Sequence, residues 1–118
     1  MYSVSAVLIS AKMDVRKIMK IVAVTACPTG IAHTYMAADA LMKTAPKYNV
    51  HIKVETQGAM GVENQLTPHD IAQADKVLIV SDIEVEHAAR FEVMHTIRIP
   101  IEDVLLNVDK VFLVHCRE

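Results

Sequence analysis

A chain of 118 residues, 53% of them hydrophobic, has room for one compact domain with its own core and is too apolar to be disordered. At this length folding buries about two-thirds of the unfolded chain's surface, so no staples are needed. A net charge of −2 with no basic run, 4% aromatic residues and no tryptophan exclude the electrostatic footprint and the stacking platforms of a nucleic-acid binder.

The N-terminus, "MYSVSAVLISAKMDVRK", carries a short apolar run from Val4 to Ala11. It lacks a positive leader region and is too short to span a bilayer, so the reading is a soluble, cytoplasmic chain with no membrane insertion. Residues 1–18 stand as an extension of unknown role before a domain over residues 19–118. "KIVAVTA", Lys20 to Ala26, is a β-branched run and the first strand. A helix follows over Ala32 to Ala45, with Met36, Ala37, Ala40, Leu41 and Thr44 on one face, and Pro46 stops it. "VHIKVET", Val50 to Thr56, alternates apolar and polar and reads as a strand at the edge of a sheet; "QGAMGVEN" is a glycine-punctuated loop. In "LTPHDIAQA", Thr67 is an N-cap, Pro68 the first helical residue and Asp70 its capping-box partner, predicting a short helix.

"KVLIVS", Lys76 to Ser81, is the continuous apolar run of a central buried strand. His95 to Ile99 is the fourth strand, and a helix starts within Pro100 to Asn107. "DKVFLVHCRE" fits either a further helix or a short strand. Strands alternating with helices predict a three-layer α/β/α, Rossmann-like domain with a four-stranded parallel sheet in the order 2-1-3-4 and right-handed crossovers. Ligands of such sheets bind beyond the carboxyl ends of the strands, which is where Cys27 falls.

Cys27 is followed by Pro28, Thr29, Gly30, Ile31, Ala32, His33 and Thr34. The first N–H groups of a helix have no intrahelical partner, and a loop curling over them makes an anion site strengthened by the helix dipole. Gly30 permits the turns; Thr25, Thr29 and Thr34 offer hydroxyl donors. A thiol in that field ionises readily and becomes a strong nucleophile, so the pattern predicts a phosphate-binding loop around a cysteine that takes a phosphoryl group. Cysteine phosphatases place an arginine after Cys and five residues; here that position is His33, and no Lys or Arg lies between Lys20 and Lys43. Without a bidentate clamp the loop suits a carrier that passes phosphate on.

These residues also carry a resemblance. "KIVAVTACPTGIAHTYMAADAL", "IKVETQGAMGVENQLT" and "SDIEVEHAARF" closely resemble the enzyme IIB domain of the fructose family of the bacterial phosphoenolpyruvate-dependent sugar phosphotransferase system, from about Met19 to Asn107. The resemblance implies a protein-phosphohistidine–sugar phosphotransferase in which Cys27 is the phosphocysteine. It implies that Cys27 accepts phosphate from a phosphohistidine on enzyme IIA and passes it to fructose or a related hexose carried by the membrane channel, enzyme IIC. No cofactor and no metal are expected.

Around this centre several assignments stay open. His33 is either a donor to the phosphoryl group or a first-turn residue bonding the loop. Glu55, Gln57, Glu63, Asn64 and Asp82 share the sheet edge with Cys27 and read equally as loop supports, partner contacts or ordinary loop polarity. Gln57 and Thr25 are the candidate supports of the loop. Pro28, Ile31, Met60 and Val62 form a candidate apolar docking rim. His51, His69, His87, His95 and His115 read as solvated or structural. The two cysteines have no CxxC or metal spacing and read as reduced thiols, Cys116 a passive one, although sequence alone leaves a disulfide open. Two other functions compete: a cysteine phosphatase or arsenate-reductase-like enzyme, and a regulatory phosphoprotein with the same loop.

Overall fold

The structure, a computed structural model, describes residues 18–27, 32–92 and 96–116. The expected N-terminal extension, except Ile18, therefore lies outside the described residues. Strand β1 (Met19–Ala26) starts the fold, and its two faces divide the core. Met19, Ile21, Ala23 and Cys27 pack on one side; Val22, Val24 and Ala26 pack on the other. A strand buried on both faces reads as a continuous apolar run, which is why "KIVAVTA" shows no alternation.

Helix α1 (Ala32–Thr44) lies against the first face through Thr34, Ala37, Ala38 and Leu41. This stripe differs from the expected one: Met36 is 55% exposed, and Ala40 and Thr44 are half-buried. The small Thr–Ala–Ala series permits close approach to the sheet, so packing selects it over the bulkier neighbouring stripe. The helix ends at Thr44 but the chain keeps coiling as a 3-10 turn, Ala45–Tyr48. Pro46 lacks the N–H that the α ladder requires there. Asn49, at φ 60°, closes the turn by donating its N–H to the Pro46 carbonyl at 3.1 Å.

Strand β2 (Val50–Gly58) runs parallel to β1 and extends past the expected Thr56. Strand β3 (Gly61–Glu63) then turns back antiparallel on it. The "QGAMGVEN" segment is thus largely a hairpin, with Gly61 at φ 84°, a left-handed conformation that a side chain resists. Helix α2 (Pro68–Gln73) opens with the expected capping box: Thr67 Oγ1 accepts from the Asp70 N–H at 3.0 Å, and Asp70 Oδ2 accepts from the Thr67 N–H at 2.9 Å.

Strand β4 (Lys76–Ser81) pairs parallel with β1 and with β5 (Thr96–Ile99). His95, the expected first residue of β5, lies outside the described residues. Pro100 is the N-cap of α3 (Ile101–Leu106), and the chain continues into α4 (Val108–His115), which settles the ambiguous tail as helix. Asn107 caps α4 by accepting from the Lys110 N–H at 3.1 Å, while Val111 and Phe112 turn into the core.

The sheet order is β3-β2-β1-β4-β5. Its four parallel strands stand in the expected order, second-first-third-fourth, but the sheet has five strands because the glycine-punctuated loop folds back as the antiparallel β3. The edge expectation for β2 holds over Val50 to Glu55, whereas β3 covers its last three residues, Thr56 to Gly58. Helices α1, α3 and α4 pack on one face; α2 and the 3-10 turn Ala88–Phe91 pack on the other.

Candidate functional site

The register of β1 places the site. Thr25 lies beside Thr56 and Val80, and Ala26 beside Gln57 and Ser81. Cys27, the next residue, stands at the carboxyl edge of the sheet, flanked by the ends of β2 and β4, and is 7% exposed. Pro28, Thr29, Gly30 and Ile31 of the expected loop lie outside the described residues. Beyond them, Ala32 and His33 are exposed on the first turn of α1, whereas Thr34 is fully buried. Adjacent in sequence, His33 faces solvent and Thr34 faces the sheet.

Alternation sorts the other candidates, because parallel neighbours in register share a face. Thr25, Thr56 and Cys27 turn toward α1. Gln57, beside Ala26, and Glu55, beside Val24, turn toward the opposite face. Gln57 thus shares the edge with Cys27 but not the face. Its amide is already engaged: Nε2 donates to Glu55 Oε2 at 2.6 Å and to the Glu86 carbonyl at 3.1 Å, and Oε1 accepts from the Glu86 N–H at 2.7 Å.

Glu55 is fully buried and belongs to an ion pair that sequence reasoning missed. Arg90 Nη1 and Nη2 donate to its two carboxylate oxygens, each at 2.9 Å, and the Leu66 N–H donates to Oε1 at 2.8 Å. Arg90 also donates to the carbonyls of His87, Leu66 and Glu86 at 2.9, 3.0 and 3.1 Å, so all five of its N–H donors are engaged. Its guanidinium stacks over the Phe91 ring, 4.3 Å from the centroid. Burial pushes the Glu55 carboxyl pKa up, but Arg90, the Leu66 N–H and the Gln57 amide outweigh it and hold the carboxyl below its ordinary value. The network staples the end of β2 to the segment after β4, bracing both flanks of the Cys27 edge. The only available signal was the co-occurrence of "VETQG" and "HAARF", which does not reveal that the two segments touch.

The hairpin tip is fixed separately. Tyr35, on the first turn of α1, accepts from the Met60 N–H at 3.3 Å. Met60 itself is 73% exposed, Val62 half-buried, and Glu63, Asn64 and Asp82 exposed. The two other rim candidates, Pro28 and Ile31, are outside the described residues. Ser81 Oγ ties the turn after β4, accepting from the Ile83 N–H at 3.0 Å. Two grooves among the described residues lie elsewhere: one of about 300 Å³ between α3 and α4, and one of about 210 Å³ beside α2 and the amino ends of β1 and β2. Neither cysteine is in a disulfide, and burial pushes the Cys116 thiol up to about 11, with Lys76 opposing.

Residues 22–113 match the family model described as the PTS system, Lactose/Cellobiose specific IIB subunit. The chain belongs to the IIB subunit family of the sugar phosphotransferase system. Within it the similarity is to fructose-type members. The chain is 47% identical over 92 residues to the "PTS system fructose-like EIIB component 2" of Escherichia coli (strain K12), covering 78% of this chain and 87% of that protein. It is 48% identical over 82 residues to the "PTS system fructose-specific EIIABC component" of Bacillus subtilis (strain 168), covering 70% of this chain but 13% of that longer protein. A crystal structure of a predicted fructose-specific IIB from Escherichia coli superposes with a TM-score of 0.78 at 41% identity, covering 83% of this chain and 87% of the other. The IIB assignment agrees with the parallel-dominated α/β/α architecture.

Proposed function

We propose that this chain is a cytoplasmic phosphoryl carrier of a fructose-type sugar phosphotransferase system, with Cys27 as the residue that holds the phosphate. The observation that carries the reading is the position of Cys27: the last residue before the β1–α1 loop, at the carboxyl edge of a parallel sheet, in a IIB chain. In the first step the Cys27 thiolate attacks the phosphorus of a phosphohistidine on enzyme IIA. The S–P bond forms, the N–P bond breaks, and the imidazole nitrogen keeps the electron pair. In the second step a hydroxyl oxygen of a hexose held by enzyme IIC attacks the same phosphorus. The O–P bond forms, the S–P bond breaks, the hydroxyl proton leaves to solvent or a base, and the thiolate is restored. In this reading the phosphoryl oxygens are held by backbone N–H groups at the start of α1.

Two features support transfer over hydrolysis. No Lys or Arg lies between Lys20 and Lys43, and Arg90 has its donors engaged by Glu55 and three carbonyls. Neither provides the guanidinium clamp of a cysteine phosphatase. The test is intact mass after incubation with phosphoenolpyruvate, the general phosphotransferase proteins and a matching enzyme IIA. The expected result is a gain of one phosphate, absent in Cys27→Ser, with the far-ultraviolet dichroism of the variant unchanged. Failure to gain phosphate from several IIA donors, together with steady hydrolysis of an aryl phosphate by the chain alone, would overturn the reading in favour of a phosphatase.

A further inference from the structure

Two polar side chains on the Cys27 face have no visible purpose in the packing. Thr25 and Thr34 are both fully buried, and among the described residues neither Oγ1 meets a hydrogen-bond partner. Burying a hydroxyl without a partner is costly, and buried polar atoms in native proteins are nearly always satisfied. The pair are also neighbours of one place. Thr25 precedes Cys27 by two residues and shares its face of β1. Thr34 begins the α1 stripe that continues through Ala37, Ala38 and Leu41, the residues packed with Ala23, Ile21 and Cys27. Because α1 runs back along β1, its first turn covers the carboxyl end of the strand, the level of Thr25 and Cys27.

We propose that the Thr25 and Thr34 hydroxyls are donors for the ionised sulfur of Cys27, held unpaired in the fold so that they are available to the thiolate. Residues two apart in a strand lie about 6.6 Å apart. In the structure neither hydroxyl bonds the sulfur, so the proposed contact forms on rotation of the side chains about χ1. A hydroxyl gains far more from an anionic acceptor than from a neutral thiol, so the contacts favour the ionised form. The titratable groups on the elements bordering Cys27 are Lys20 on β1, His33, Tyr35, Asp39 and Lys43 on α1, His51, Lys53 and Glu55 on β2, the last locked with Arg90, Lys76 on β4 and Asp82 beyond it; none changes in the variants below. The inference rests on the carrier reading for its purpose but not for its measurement.

The test is the pH dependence of Cys27 alkylation by iodoacetamide, read by peptide mass, in Thr25→Val, Thr34→Val and the corresponding Ser variants. Valine keeps the branched shape and removes the hydroxyl; serine keeps the hydroxyl. The expected result is a profile displaced to higher pH in the Val variants, with about a tenfold loss of thiolate at fixed pH below the midpoint, and a profile near wild type in the Ser variants. The thermal midpoint of the Val variants is expected to stay level or rise, since a methyl replaces an unpartnered hydroxyl. Thr→Ala at the same positions serves if valine is not accommodated. An unmoved profile in the hydroxyl-free variants, or a Ser variant displaced as far as its Val counterpart, overturns the proposal. A wild-type chain that is never phosphorylated, alongside Val variants whose alkylation profiles are displaced, overturns the carrier reading and leaves the thiolate contact standing. Phosphorylation at Cys27 with unmoved profiles does the reverse.

Discussion

Replacing Arg90 with methionine removes the cation paired with a fully buried carboxylate. The Arg90 side chain is 16% exposed and Glu55 0%, so solvent screens the pair little. Breaking such a pair from one side leaves an uncompensated buried charge and costs about 3–5 kcal/mol. The three carbonyls of His87, Leu66 and Glu86 also lose a donor. Set against a total stability of about 5–15 kcal/mol for a domain of this size, the loss lowers the thermal midpoint by on the order of 20 °C. The dependence on pH makes the cause identifiable. In the wild type the Glu55 pKa is depressed, so its contribution is present above the unfolded-state value near 4.3 and fades as pH falls through the lower folded value. In Arg90→Met burial acts unopposed by the guanidinium, the carboxyl pKa rises, and acidification lets Glu55 sit in the core as a neutral acid. The gap between variant and wild type is therefore expected to narrow between pH 7 and pH 4 in urea unfolding followed by circular dichroism. Glu55→Gln in the Arg90→Met background removes the buried charge while keeping an acceptor for the Leu66 N–H, and is expected to restore most of the loss at pH 7. A deficit under about 1 kcal/mol at pH 7, or one that grows on acidification, would refute the argument.

Thr67→Ala breaks one half of the α2 capping box and is expected to cost about 1 kcal/mol by the same urea assay. Asp70, held at about 2 first by Lys53 and then by the Thr67 N–H, adds stability above its unfolded value near 3.9 that is lost as pH falls toward 2. Lys53→Met is accordingly expected to flatten the acid limb of the stability curve. Cys116, its thiol at about 11, is expected to resist iodoacetamide at pH 8 in the folded protein and to react within minutes once urea unfolds it; fast labelling in the folded state would contradict its burial. Tyr35→Phe removes the hydroxyl that accepts from the Met60 N–H. Amide exchange at Met60 is expected to speed up severalfold while global stability moves by less than about 1 kcal/mol.

The parallel framework was legible because it depends on local patterns. "KIVAVTA" and "KVLIVS" are strands covered on both faces, and "LTPHD" encodes its cap within four residues. The misplaced features depend on contacts remote in sequence. Val50 to Thr56 alternates like an edge strand, yet Glu55, Thr56 and Gln57 are all buried. Glu55 and Gln57 find their partners about thirty residues away, at Arg90 and Glu86, and no periodicity carries that information. The α1 stripe was misjudged because hydrophobicity favoured Met36, whereas close packing on a sheet favours Thr34 and two alanines.

The candidate site shows the same division within a single strand. Odd positions of β1 point Thr25 and Cys27 toward α1, and even positions set Val24 and Ala26 beside Glu55 and Gln57 on the other face. A polar residue beside the cysteine in sequence or in register is therefore not a neighbour of its sulfur. Gln57 and the pair Glu55–Arg90 act on the site by fixing the strand ends that flank it. Among the described residues Thr25 and Thr34 Oγ1 meet no hydrogen-bond partner, and they lie on the face of the sheet that Cys27 shares. The alternation of the strand keeps the bracing charges off the Cys27 side of the sheet. A buried ion pair can thus stiffen this edge without placing its carboxylate on the face of Cys27, where the proposed carrier role would put a phosphoryl dianion.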